Sequence, residues 1–180
     1  MHSALDNKLC EAYPKIFAER NSPMAETCMC WGFSCGDGWY GIIDQLCYAI
    51  QQYIDSSAES HATDLAFNAA LVAAQAGDRT LIEEYFSGLY RMEAAIENAL
   101  ATGPREVRPA VRQVVAVQVK EKFGTLSFYY SGGDKYTSGL IAMAEHMSGI
   151  TCETCGSPGT LRGTGWIQTL CDAHARPVKE

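Results

Sequence analysis

The sequence predicts an α+β protein: a helical body with a small antiparallel β-sheet and a C-terminal zinc-knuckle module of zinc-ribbon-like type. Three observations carry this expectation. Apolar residues recur at helical spacing through most of the N-terminal half. Two short β-branched or aromatic runs adjoin each other near residues 112–130. Finally, Cys152, Cys155, Cys171 and His174 stand as C-x2-C-x15-C-x2-H. At 180 residues the chain is long enough to bury an ordinary core. We expect a body over 1–150, including a helical hairpin at about 62–101, and a metal-binding module over 151–180 packed on it.

Residues 3–20 read as a short amphipathic helix that Pro14 kinks or restarts, with Leu5, Leu9, Ile16 and Phe17 facing inward. Asp37 is placed to cap a helix over about 38–54, in which Ile42, Ile43, Leu46, Cys47, Ile50 and Ile54 form the apolar stripe. The polar run DSSAESHATD separates this helix from an alanine-rich one over 62–76. A further helix follows from Thr80, with Thr80 and Glu83 at capping-box spacing. Residues 112–119 and 125–130 are predicted strands, joined through residues 120–124, with Leu126, Phe128 and Tyr130 on one face. Asp134 or Thr137 then starts a helix whose inner side is Leu140, Ile141, Ala144 and Met147.

The doubled short spacing at the C-terminus lets two tight turns each aim a pair of ligands at one ion, for which tetrahedral, structural Zn2+ is the natural occupant. Four protein ligands close the coordination shell, so the ion is expected to replace a core that such a short segment cannot build. The stretch CMCWGFSCGDGWY raises a different question. Cys28, Cys30 and Cys35 lack a second paired knuckle and a nearby histidine, so a second metal would need a remote donor such as Cys10 or Cys47. A lone reactive Cys35 before the helix is a further reading. The reading favoured here is a packed aromatic corner bordering a binding surface.

Trp31, Trp39 and Tyr40 are the aromatic residues expected to contact a planar ligand. Lys120, Lys122 and Tyr129 on the strand pair are expected to complete the site. Between Arg105 and Lys122 five basic residues stand against two acidic ones, although the whole chain carries a net charge of −7. That overall acidity argues against a general nucleic-acid coat. No apolar run approaches a membrane span, and the N-terminal stretch lacks the pattern of a secretory signal, so cytoplasmic residence is expected.

The segments MCWGFSCGDGWYGIID, VKEKFGTLSFYY, and CETCG with GWIQTLCDAH resemble a family of small uncharacterised proteins of tailed phages and prophages. The likeness covers about 13–54 and 113–174. It implies a phage or prophage origin, a zinc-knuckle site on Cys152, Cys155, Cys171 and His174, and action inside a bacterial host cell. It implies no activity.

The function expected from these readings is that of a phage-encoded, zinc-stabilised binding protein acting against a host process. It would sequester a nucleotide-like small molecule or occupy a host protein, with no catalytic residues assigned. Two alternatives stay open: a hydrolase or nuclease using zinc or acidic residues such as Asp37 and Asp44, and a nucleic-acid-interacting regulatory protein. Met143 and Met147 offer an apolar patch for self-association as a homo-oligomer.

Overall fold

The computed structural model of the chain describes residues 1–163 and 165–175; Thr164 and the last five residues of the expected C-terminal module lie outside the described residues. The α+β architecture is present, with helices α1 (Ser3–Ala12), α2 (Tyr40–Gln75), α3 (Thr80–Tyr85), α4 (Met92–Thr102) and α5 (Lys135–Ser148). Strands β1 (Val115–Lys122) and β2 (Thr125–Ser131) form one antiparallel pair, and β3 (Thr160–Arg162) and β4 (Gln168–Leu170) form another. Two compact units result: Met1–Ile54 together with the chain from Val111 onward, and Asp55–Ala110.

In the first unit, Leu9, Ile16, Phe17, Phe33, Trp39 and Ile43 pack with Val119, Leu126, Phe128 and Ile141. The carboxylate of Asp6 is buried in this unit and accepts hydrogen bonds from Arg20 Nε (3.1 Å) and the Phe33 amide (3.3 Å). Arg20 in turn donates to the Cys30 carbonyl at 2.8 Å, which ties α1 to the cysteine-rich segment. In the second unit, Phe67, Leu71, Ile82 and Ile96 form a separate core. Arg105 lies over the Phe67 ring (4.0 Å to the centroid) and donates to the Tyr85 hydroxyl (3.0 Å), so this cation is used inside its own unit.

Several boundaries differ from expectation, each for an identifiable reason. The two helices expected over 38–54 and 62–76 are one continuous helix, α2. DSSAESHATD holds no glycine or proline, and its alanines and glutamate favour helix enough to carry the backbone through. The helix expected from Thr80 to about residue 101 is instead two, separated around Gly88, whose φ of +84° a helix cannot contain. The expected Thr80/Glu83 capping box does not form. Asp78 accepts the Thr80 amide hydrogen bond (3.0 Å), while Glu83 pairs with Arg79 (3.3 Å). Asp37 is likewise not a cap: its carboxylate accepts the His2 amide at 2.6 Å, and a 3-10 turn over Asp37–Trp39 leads into α2.

The first strand is shifted along the chain: Arg112, Gln113 and Val114, expected within it, precede β1, which begins at Val115. β1 continues to Lys122, and the connection shrinks to Phe123 and Gly124, both at positive φ (+53° and +83°), as a tight two-residue hairpin requires. Asp134 does cap α5, in a reciprocal box with Thr137. Met147, expected inside, is 47% exposed. The inward position belongs to Ser148, because α5 faces the open edge of β2, where backbone donors need acceptors rather than methyl groups. Ser148 Oγ accepts the Leu126 amide hydrogen bond (2.7 Å), and Glu145 Oε1 accepts that of Phe128 (2.9 Å).

A Ser148→Ala substitution strands the Leu126 N–H in a buried setting. It is expected to cost about 1–3 kcal/mol in urea denaturation, with faster hydrogen exchange at that amide.

Candidate metal centre

Two tight turns build the site. The first follows Ile150: the Cys152 amide donates to the Ser157 carbonyl (2.7 Å), and the Gly156 amide to the Cys152 carbonyl (2.8 Å), which folds Cys152 and Cys155 onto one side. In the second, the His174 amide donates to the Cys171 carbonyl (3.1 Å) within a 3-10 turn. The β3–β4 hairpin sets the distance between the turns, and Arg162 braces it by donating to the Leu170 carbonyl (2.9 Å) and pairing with Asp172.

As a result, one donor atom from each of Cys152, Cys155, Cys171 and His174 lies within 4.8 Å of every other. The Cys155–Cys171 sulfurs are 3.7 Å apart, Cys152 Sγ is 3.7 Å from His174 Nδ1, and Cys171 Sγ is 3.2 Å from the same nitrogen. A tetrahedron with metal–sulfur bonds of about 2.3 Å has sulfur–sulfur edges of about 3.8 Å, whereas a disulfide needs about 2.05 Å. The spacing therefore fits four ligands around one ion, with His174 contributing Nδ1. Burial pushes the Cys152 thiol up, but backbone N–H groups of Cys171, Cys155 and Thr154 outweigh it and bring the thiol down to about 6. Such amide-to-sulfur bonds stabilise the thiolate that a metal requires.

The CGDGW segment turns out to be the seat on which this module docks. The Gly38 amide donates to the Glu153 carbonyl (2.8 Å), the Gly36 amide to Glu153 Oε1 (2.9 Å), and the Trp39 indole to the Thr151 carbonyl (2.8 Å). Backbone meets backbone so closely that a Cβ on Gly38 would lie 2.2 Å from the Cys152 carbonyl oxygen, and one on Gly36 2.2 Å from that of Glu153. The glycines are explained by this close approach rather than by mobility around a ligand. On the other side, Thr169 Oγ1 donates to the Gly124 carbonyl (2.6 Å), fastening the module to the β1–β2 turn.

The other residues singled out from the sequence are dispersed. Trp39 is wholly buried and its indole donor is taken, so it presents no face to a ligand. Tyr40 is half-buried against the core, while Trp31 is 64% exposed with its indole directed to Met24 Sδ (3.3 Å). Lys120 and Tyr129 do come together, the ammonium 5.3 Å from the ring centroid. Lys122 reaches over Phe123 at 5.7 Å. Sequence reasoning missed both Phe123 and Trp166; the Phe-Gly turn between two β runs was the available signal for the first, and for Trp166 there was none. Asp44 accepts the Tyr13 hydroxyl (2.9 Å). Among the remaining thiols, burial holds Cys35 up at about 12 and Cys10 at about 11, and pushes Cys47 upward as well, so each is a protonated packing group at neutral pH.

Gly38→Ala is expected to destabilise the protein by about 2 kcal/mol or more and to weaken metal retention, measured by thermal melting and by elemental analysis after dialysis against chelator. Gly41→Ala, whose new Cβ meets nothing within 4 Å, is the neutral control for stability. In comparisons with known proteins, no family model, no curated protein and no solved structure matches this chain.

Proposed function

We propose that the chain is a phage-encoded binding protein, stabilised by a structural Zn2+ ion, which acts in the cytoplasm of a bacterial host by sequestering a planar, anionic, nucleotide-like ligand. Zinc is the occupant favoured by a three-thiolate, one-imidazole set at tetrahedral spacing, and four protein donors leave no position for a reacting water. Phage origin rests on the resemblance of the CGDGW, VKEKFGTL and C-terminal segments.

The observation that carries the ligand class is the basic and aromatic end of the β1–β2 hairpin. Gln118, Lys120 and Lys122 pair across from Tyr129, Ser127 and Thr125, which puts both lysines and Tyr129 on one face. Each ammonium sits beside a ring that solvent reaches: Tyr129 is 42% and Phe123 73% exposed. Next to this turn, Glu121, Lys122, Phe123, Gly165, Trp166 and Ile167 line a cavity of about 250 Å³, and the Glu121 carboxylate there is engaged by the Gly124 amide (2.7 Å). Phe123 occupies a left-handed position that a side chain enters at a cost of about 1–2 kcal/mol, where asparagine or glycine would be the ordinary choice. Flat rings with adjacent cations suit stacking of a base and neutralisation of its phosphate.

The hydrolase reading draws less support. Asp37 and Asp44, its acidic candidates, are each engaged by a partner within the fold. The nucleic-acid reading is opposed by the net charge of −7.

Titration with a panel of nucleoside mono- and diphosphates is expected to give one site per chain, a change in tryptophan fluorescence, and intact ligand on release. Phe123→Ala and Lys122→Ala together are expected to weaken binding roughly 100-fold without loss of metal. Recovery of cleaved nucleotide would establish the hydrolase reading instead, and absence of binding across the panel would leave a host protein as the target.

A further inference from the structure

The cavity at the tip of the β1–β2 hairpin holds a polar group that stacking alone leaves unused. Its walls come from two places: Glu121, Lys122 and Phe123 on that hairpin, and Gly165, Trp166 and Ile167 on the loop between β3 and β4. The two hairpins are fastened to each other beside it. Thr169 Oγ1 donates to the Gly124 carbonyl, and Gly124 is packed so closely that a Cβ there would lie 2.4 Å from Leu161 Cδ1. Each hairpin thus contributes one exposed ring to a shared cavity, Phe123 from one and Trp166 from the other. A volume of about 250 Å³ falls below the roughly 300–1,000 Å³ of sites that enclose a whole drug-sized ligand, so the cavity takes a ring system rather than an entire nucleotide.

Two lining side chains carry charge, Lys122 and Glu121. The Glu121 carboxylate is fixed in place, because Oε1 accepts the Gly124 amide across the turn (2.7 Å). Among the described residues no cation pairs with it, and its Oε2 has no donor. A carboxylate has about four lone-pair sites, so one amide leaves both oxygens with acceptor capacity. Holding that amide requires only a carbonyl oxygen, which glutamine would supply equally well. The charge and the second oxygen are therefore surplus to the turn. The lysines do not consume them: Glu121 pairs across the strands with Leu126, whereas Lys120 and Lys122 pair with Ser127 and Thr125 and so leave the strand on its other face.

The ligand chemistry follows from this placement. An anion inside the cavity repels phosphate, which belongs outside with the Lys122 ammonium beside Phe123. The base lies inside with an edge towards Glu121. Two carboxylate oxygens match two parallel N–H donors, as they do in a fork of guanidinium hydrogen bonds. Among the common bases, guanine has such a pair, N1–H beside the 2-amino group. Adenine and cytosine set their single amino group next to an acceptor nitrogen, and uracil sets its N–H between two carbonyls, so each turns a lone pair towards the carboxylate.

We propose that the hairpin-tip cavity is a guanine-selective subsite, in which Glu121 accepts from N1–H and the 2-amino group while Phe123 and Trp166 pack on the faces of the ring. This rests on the reading of the hairpin end as a nucleotide site and adds to it the identity of the base. Glu121 is the specificity-determining residue, and Trp166 contributes affinity without choosing among bases.

The test is calorimetric titration of the full, metal-loaded chain with guanosine, inosine, adenosine and uridine diphosphates. Guanosine diphosphate is expected to bind tightest. The inosine nucleotide, which differs only in lacking the 2-amino group, is expected to bind roughly tenfold more weakly, and the other two roughly 30-fold or more. That comparison uses unmodified protein and needs no variant to fold. Glu121→Gln keeps an acceptor for the Gly124 amide, so its melting temperature should hold while its affinity for guanosine diphosphate falls to that for the adenosine nucleotide. Trp166→Ala is expected to weaken all four roughly tenfold and to leave their order unchanged. Binding without base preference, a preference for another base, or a guanine preference that survives Glu121→Gln overturns the inference and leaves the nucleotide reading standing. Failure of all four nucleotides to bind overturns both.

Discussion

The first unit is organised around one contact: the backbone of the C-terminal knuckle lying directly on the peptide units of Gly36 and Gly38. Hydrogen bonds from both glycine amides and from the Trp39 indole converge on Thr151 and Glu153, the residues flanking the first metal donor. The chain on the other side of the seat is equally committed. Ser34 bridges to β1, donating to the Val119 carbonyl (3.0 Å) and accepting from the Glu121 amide (2.9 Å), and Tyr40 opens α2. A segment of a few residues therefore joins sheet, long helix and metal module. Side chains at the glycines would push these three apart by more than packing could absorb.

This contact accounts for the glycines and the tryptophan of the CGDGW segment. Trp39 fills the corner where the three parts meet, and Cys35 is a small buried group beside it. Glu153 is the polar counterpart: it is buried, and its carboxylate is held by the Gly36 amide while its carbonyl receives that of Gly38. An unpaired carboxylate there would be costly, whereas one fixed by backbone donors specifies where the knuckle sits.

Much of this was legible in the sequence, and the limits are physical. The Cys/His cluster could be read because its spacing is local and chemically restrictive; the strand pair and the Asp134 cap could be read because period and capping are local too. What could not be read depends on distant partners. Nothing near Gly36 and Gly38 announces that a carbonyl more than a hundred positions away will lie against them. The continuity of α2 was hidden because a polar run looks like a loop until one notices that it contains no helix breaker. Ser148 and Met147 exchanged expected roles because the sheet edge that α5 covers needs hydrogen-bond acceptors, a demand invisible to apolar periodicity. No helix among the described residues is long and apolar enough to cross a membrane.

The same division separates structural from available chemistry. Trp39, the one aromatic residue of the CGDGW segment, is consumed by the docking contact, while the aromatic residues at the hairpin end and the methionines of α5 are exposed. The claim beneath all of this is that ion and seat are one cooperative unit. NMR-detected hydrogen exchange at the Gly38 amide and the Trp39 indole, before and after removal of the metal by chelator, addresses it most directly. Both protons should be strongly protected in the metal-loaded protein and lose that protection together when the ion leaves. Protection that persists unchanged in the metal-free protein, or purified protein that never held a metal, would contradict the account.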